Sequence, residues 1–145
     1  MSSQLTIVGN LAADPELRFT SGGKAVANFT IVTSRSVKGA DGTWDNDVDR
    51  TYWPCTVWDK IAEHVCESLG KGDAVIAIGY ASTRSWEGKD GSKGSRMEVN
   101  VTEVAASMRR TTVTVHRSER APGHGSTSTA DPWGPSKTDE EIPPF

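Results

Sequence analysis

Apolar and polar positions alternate through most of the first 116 residues, and the period of that alternation predicts the elements. In residues 4–9, Leu5 and Ile7 alternate with polar neighbours and Val8 joins them, which predicts a first strand. The chain then turns through Asp14-Pro15, and residues 17–19 read as a short continuation. After the tight turn Ser21-Gly22-Gly23-Lys24, residues 25–34 form a second strand carrying Val26, Phe29, Ile31 and Val32. Residues 35–49 are long, polar and loop-like, with Asp41-Gly42 as the turn and Trp44 just past its tip. Residues 50–58 are a third strand running straight into a helix. Side chains alternate faces along a strand, so Tyr52, Thr56 and Trp58 share one face and Trp53, Cys55 and Val57 the other. In the helix, Ile61, Val65, Cys66 and Leu69 recur at helical spacing, Asp59 stands at the entry to cap it, and Gly70 occupies the expected left-handed C-terminal cap. Residues 74–84 form a fourth strand, apolar on both faces through Val75-Ile76-Ala77-Ile78, a pattern that suggests a subunit interface. A flexible basic hairpin loop at 88–94 leads into a fifth strand through Met97, Val99, Val101 and Val104. The β-branched run 111–115 suggests one more short strand.

Short strands with one helix between the third and fourth predict an all-β domain, a five-stranded Greek-key barrel of the OB type. An SH3-like barrel is the alternative, although it does not normally hold a helix of this length. After His116 the alternation stops. Residues 1–116 are therefore the folded domain, and residues 117–138 a disordered Ser/Thr/Gly/Pro-rich linker. Residues 139–145 form an acidic tip ending in an apolar residue. As a flexible coil, the 22 linker residues reach about 25 Å.

Composition changes this picture little. An apolar fraction of 35% is low for a chain of 145 residues, but the deficit lies after His116. No apolar run is long enough to cross a bilayer, and the start lacks the layout of a secretion signal. Cys55 and Cys66 fall on faces expected to be buried, which suggests reduced core residues rather than a disulfide or zinc site. A cytoplasmic, nucleoid-associated protein without a membrane partner is expected. The net charge of −3 argues weakly against nucleic acid. Residues 1–116 hold 13 Lys+Arg and 14 Asp+Glu, so the domain itself is near neutral and able to carry a basic groove.

The candidate chemistry is aromatic and cationic. Tyr52 and Trp58 share a strand face; Trp86 ends the next strand beside Arg84 and near Lys89 and Lys93. Bases stack on such rings, and neighbouring Lys and Arg neutralise phosphates. Spacing alone leaves open whether the rings stack bases or pack into the core. For Trp53, parity favours core or interface. Trp44, with Lys38 on the same polar stretch, is either a stacking ring or a loop anchor, and Trp133 reads as linker. No catalytic role is expected. His64, His116 and His124 have no nucleophile at useful spacing, and there is no Gly-x-Ser-x-Gly turn. Asp41, Asp45, Asp47 and Asp49 lack the Glu-terminated spacing of a calcium loop, so neither metal nor cofactor is expected. At the C-terminus, Asp139, Glu140, Glu141, Ile142, Pro143, Pro144 and Phe145 have the makings of a docking peptide. The apolar end and its carboxylate would enter a pocket while the acids meet a basic rim.

These residues resemble the bacterial single-stranded DNA-binding protein family (SSB). The resemblance runs through Ile7-Val8-Gly9-Asn10-Leu11, Asp14-Pro15-Glu16-Leu17-Arg18-Phe19 and Ala25-Val26-Ala27-Asn28-Phe29-Thr30. It continues in Trp58-Asp59-Lys60-Ile61-Ala62-Glu63, Leu69-Gly70-Lys71-Gly72, Thr83-Arg84-Ser85-Trp86 and the acidic Pro-Phe end. The extension from Ser107-Met108-Arg109-Arg110 to Val115 is similar to actinobacterial members, where it forms an extra strand clasping subunits together. The resemblance implies an OB-fold homotetramer that wraps single-stranded DNA, with a tail recruiting replication and repair proteins. It places Tyr52, Trp58 and Trp86 on stacking positions, and Lys60, Lys71 and Arg84 on basic ones. Val37 stands where the family often has an aromatic, Pro54 where Arg is frequent and Ser85 where Lys is frequent. These departures imply binding weaker or more salt-sensitive than that of a typical relative.

Overall fold

A computed structural model describes residues 2–118 of the chain. Among these described residues, six strands and one helix follow in the order β1 (Ser3–Leu11), β2 (Glu16–Phe19), β3 (Ala25–Lys38), β4 (Trp44–Trp58), α1 (Asp59–Ser68), β5 (Ala74–Glu87) and β6 (Lys93–Ala106). Hydrogen-bonded neighbours run β1-β5-β6-β4-β3-β2, and β1 also pairs with β3 through Asn10↔Val32 and Leu11↔Ile31. Five strands therefore form a closed ring, with the helix between the third and fourth of them, an arrangement consistent with an OB-fold. All pairings are antiparallel except a short parallel step, Cys55↔Val99 and Thr56↔Asn100, between β4 and β6.

Alternation builds the core. Ile7, Ala27, Phe29, Ile31, Cys55, Val57, Val75, Ala77, Val99 and Val101 point inward from five strands and are buried. Ala62 and Val65 of α1 join the same cluster, with Ile61, Cys66, Leu69 and Trp53 packed around it. Ile31, Val57, Val75 and Val99 are fully buried, and each such side chain contributes about 1.5–3 kcal/mol through loss of water contact. Ring closure depends on Gly9, where β1 passes from β5 to β3. A Cβ there would lie 2.7 Å from Ile31 Cγ2 and closer still to the Val32 carbonyl oxygen, so only glycine permits the approach.

The structure differs from the sequence reading in several places. Residues 17–19 do not continue β1: they belong to β2, which pairs with the first half of β3 from Glu16↔Asn28 to Phe19↔Ala25. Most of residues 35–49 is strand rather than loop, because β3 and β4 extend as a ribbon to Lys38↔Trp44. Two register shifts interrupt that ribbon, one of them beside Asp49 (φ 54). Asp59 does not cap the helix. β4 stays extended through Trp58, and Asp59 is the first helical residue, with φ 63 and no side-chain cap. At the other end Leu69 is the cap, its N–H donating to the Val65 carbonyl (3.0 Å), and the left-handed residue is Gly72 (φ 89), not Gly70. Residues 111–115 form no strand; Thr111 Oγ1 instead donates to the Ser107 carbonyl (3.1 Å). Pro54 is accommodated in β4 opposite Thr30, whose carbonyl accepts from Ala12 N–H (2.9 Å) and so makes no demand on Pro54.

Candidate nucleic-acid interface

Because inward positions on β4 and on most of β5 and β6 are odd-numbered, the even-numbered ones form a continuous outer face. The register places Val26↔Trp58, Asn28↔Thr56 and Val32↔Tyr52 on it from β3 and β4. Tyr80↔Asn100, Ser82↔Glu98, Arg84↔Arg96 and Trp86↔Gly94 lie on it from β5 and β6. The four rings singled out from sequence are all exposed there: Tyr52 by 55%, Trp58 by 43%, Trp86 by 53% and Trp44 by 62%. A ring left half in water at the surface of a packed domain has a free face for stacking. Trp53, on the opposite parity, packs against the core and donates from Nε1 to Thr33 Oγ1 (2.9 Å).

A groove of about 600 Å³ crosses this face, and Trp58, Asn28, Thr56, Arg84, Arg96 and Asn100 are among its lining residues. Arg84 and Arg96 are directly opposite, an arrangement of like charges that is unfavourable unless something neutralises it. Glu98 does so. Its carboxylate accepts from Arg96 Nη2 at 2.5 Å and lies 3.8 Å from Arg84 Nε. The hydrogen bond from Arg96 and the charge of Arg84 outweigh burial and hold the Glu98 carboxyl below the usual carboxylate range. The acid is only 11% exposed, whereas the Arg84 and Arg96 side chains are 75% and 60% exposed, so the cations face outward and the anion sits beneath them. Around them, Thr56 Oγ1 donates to Asn28 Oδ1 (3.1 Å) and Asn100 Nδ2 to Ser82 Oγ (3.0 Å), which fixes two amides on the floor.

The remaining candidates sit around this centre. Trp86 and Lys93 line a second cleft of about 530 Å³ with Ser85, Glu87, Gly94 and Ser95. Lys38 is directly opposite Trp44 at the end of the β3–β4 ribbon. Lys89 lies on the turn between β5 and β6. Lys60 and Lys71 are exposed but are not in the groove lining. Lys60 pairs with Glu63 (2.9 Å), and the Lys71 N–H donates to Asp14 Oδ1 (2.7 Å) at the groove edge. The docking peptide at 139–145 and the linker lie outside the described residues.

Arg96, Glu98, Asn28 and Asn100 were missed from sequence. Each reads as an ordinary outward position of an alternating strand, and only the cross-strand register brings Arg96 beside Arg84. A second feature was legible but overlooked. The two ribbons end in matching five-residue tips, Gly39-Ala40-Asp41-Gly42-Thr43 and Gly88-Lys89-Asp90-Gly91-Ser92. In both, the first Gly N–H donates to the last carbonyl (2.8 and 2.6 Å), and the fourth-position glycines have φ 83 and 81. Asp41 Oδ1 accepts from Thr43 N and Oγ1 (3.1 and 2.7 Å), and Asp90 Oδ1 from Ser92 N and Oγ (3.1 and 2.6 Å). These hydrogen bonds, the hydroxyls' first, lower the pKa of both aspartates. Of the stretch 88–94, residues 88–92 are thus a defined turn built on aspartate, and Lys93 and Gly94 already belong to β6.

Comparison with known proteins gives one consistent result. The model of the single-strand binding protein family matches residues 2–107. A single-stranded DNA-binding protein of Mycobacterium tuberculosis (strain ATCC 25618 / H37Rv) is 41% identical over 159 residues, covering 97% of this chain and 96% of the relative. That of Mycobacterium leprae (strain TN) is 39% identical over 163 residues with the same coverage. Single-stranded DNA-binding protein 1 of Tropheryma whipplei (strain TW08/27) is 36% identical over 143 residues, covering 98% of this chain and 75% of the relative.

Proposed function

The chain belongs to the single-strand binding protein family, and on that premise we propose that its outer face takes single-stranded DNA without reading sequence. The observation that carries this is the groove in which the half-exposed Trp58 ring lies with the outward-facing Arg84 and Arg96. Bases stack on Trp58, Tyr52, Trp86 and Trp44, while Arg84, Arg96, Lys93, Lys89 and Lys38 neutralise phosphates along the path. Lys60, in the first turn of α1, and Lys71, just past its last residue, contact the strand at either end of the helix. Ring faces accept any base, so recognition is independent of sequence. The chain acts as a binding protein rather than an enzyme, coating single strands exposed in replication, recombination and repair on the nucleoid.

Two further parts belong to this reading. The outer face of β1 and β5 carries Val8, 61% exposed, opposite the half-exposed Ile76, with Ile78 and Tyr80 further along β5. This apolar strip supports self-association into a homotetramer. Residues 139–145 recruit replication and repair proteins, so deleting them should abolish partner capture and leave DNA affinity unchanged or higher.

The test is tryptophan fluorescence during titration with a long oligo-thymidine at low and moderate salt. Saturable quenching, with affinity falling as salt rises, is the expected result. The Trp58→Ala and Trp86→Ala substitutions should each weaken binding by about 1–3 kcal/mol. Undiminished affinity in the double variant would refute stacking.

A further inference from the structure

Gly94 is the second residue of β6, paired across the ladder, where a glycine costs strand stability and needs a reason. Its backbone does not supply one. Gly91 at the neighbouring tip has φ 81, but Gly94 is not among the positive-φ residues. The reason is across the strand. Trp86 stands directly opposite, and a Cβ at position 94 would lie 2.6 Å from Trp86 Cε2 and 3.0 Å from Cη2, with Cζ2 closer still. Three atoms of one ring converge on the place where a side chain would begin, so the indole lies over the bare backbone of β6. Its other side is open, since Trp86 remains 53% exposed and borders the cleft with Lys93.

We propose that Gly94 is a positioning residue for Trp86: the missing side chain lets the indole seat flat on β6, supported on one face and presenting the other to a base. The inference rests on the reading of Trp86 as a stacking ring. A side chain at 94 would push the ring off its seat and into the cleft beside Lys93. The fold would tolerate this, because the displaced group is an exposed side chain. The competing explanation is that Trp86 merely covers a bare stretch of strand. The two differ in what happens when the glycine is filled. If the ring is only a cover, a Cβ at 94 improves the strand and leaves DNA binding alone.

The experiment compares the full chain with Gly94→Ala, Gly94→Val, Trp86→Ala and the Gly94→Ala/Trp86→Ala pair. It measures affinity for a fluorescently labelled oligo-thymidine by anisotropy, and melting temperature without DNA. One stacked ring corresponds to about a fivefold to 150-fold change in affinity, and Trp86→Ala should fall in that range. Gly94→Ala should lose most of the same factor, Gly94→Val at least as much, and the pair no more than Trp86→Ala alone. Melting temperatures of the Gly94 variants should hold or rise, Val being the better strand former. Unchanged affinity in both Gly94 variants beside a weakened Trp86→Ala overturns the positioning role and leaves stacking standing. Unchanged affinity in Trp86→Ala overturns both. A loss in the pair equal to the product of the single losses would show that Gly94 acts independently of the ring, and also overturns the proposal.

Discussion

Removing Arg96 should cost the groove more than one cation. Glu98 is held by two arginines at unequal distances, 2.5 Å to Arg96 and 3.8 Å to Arg84. A carboxylate 11% exposed is poorly hydrated and is strongly disfavoured without a partner. In Arg96→Ala the nearest cation is the Arg84 guanidinium, which needs to move by only about 1 Å to make a charge-assisted hydrogen bond. That movement draws Arg84 inward, away from a bound phosphate. Each phosphate contact on a single strand contributes about 0.7 to the slope of log affinity against log salt. Arg96→Ala should therefore lower the slope by about 1.4 rather than 0.7. Between about 50 and 200 mM salt, the advantage of the native chain should shrink by about sevenfold, against about 2.6-fold if a single contact were lost.

The control is to add Glu98→Gln. A neutral amide does not need the guanidinium, so Arg84 returns to the strand and the slope loss falls back to about 0.7. Anisotropy titrations with labelled oligo-thymidine at four or more salt concentrations give these slopes directly. A double variant no better than Arg96→Ala would refute the coupling through Glu98. A native slope in Arg96→Ala would remove Arg96 from the interface altogether.

Three other expectations follow from the same structure. Gly9→Ala forces a Cβ against the Ile31 side chain and Val32 carbonyl, and should lower stability to urea by about 1–3 kcal/mol, the usual cost of overpacking; an unchanged midpoint would mean that ring closure does not depend on a bare backbone at Gly9. Burial pushes the Cys55 thiol up to about 12 and raises that of half-exposed Cys66, so at pH 8 iodoacetamide should label Cys66 first and Cys55 only after denaturation. At the ribbon tips, Asp41 and Asp90 titrate below the usual carboxylate range, so their turns are favoured above the unfolded aspartate value of about 3.9 and released as pH falls through the lowered folded values. The Thr43 and Ser92 amide resonances should report that release below about pH 4, and a midpoint at or above about 3.9 would count against the turns.

How much of this was legible depended on whether a stretch packs on two different surroundings. Residues 50–58 have one face in the core and one in water, so parity alone separated Cys55 and Val57 from Tyr52 and Trp58, and the structure agrees. Residues 35–49 run past the core. Nearly all are exposed, no apolar alternation is left to mark the strand, and the ribbon is made by its backbone ladder with the pairs Arg35–Asp49 and Arg50–Asp47. Asp59 is a favourable capping residue, yet the helix begins one residue earlier than that propensity suggests: Trp58, still extended, holds the cap position and Asp59 is already helical. The run 111–115 has strand propensity but pairs with no strand among the described residues of this chain, and propensity alone does not make a strand. Arg96 was invisible for a different reason: which residue of β6 faces Arg84 is set by register, and register is not written in either strand alone.

Register is also what gives the matching tips their importance. A slip of one residue in a hairpin moves every side chain to the opposite face, and the outer ribbons have little hydrophobic content to prevent it. The tips supply the constraint instead. Each five-residue turn is closed by a backbone bond between its ends and by an aspartate accepting from the last residue, so the first pair outside it is determined: Lys38↔Trp44 in one ribbon and Glu87↔Lys93 in the other. From Glu87↔Lys93 the next steps are fixed in turn, Trp86↔Gly94 and then, two steps on, Arg84↔Arg96 with Ser82↔Glu98 beyond. Slipped by one residue, Trp86 would face a side chain instead of bare backbone, and Arg96 would leave the groove with its counter-ion. The seat of the indole and the arginine pair are thus both consequences of where the turn closes, although the turn itself bears neither.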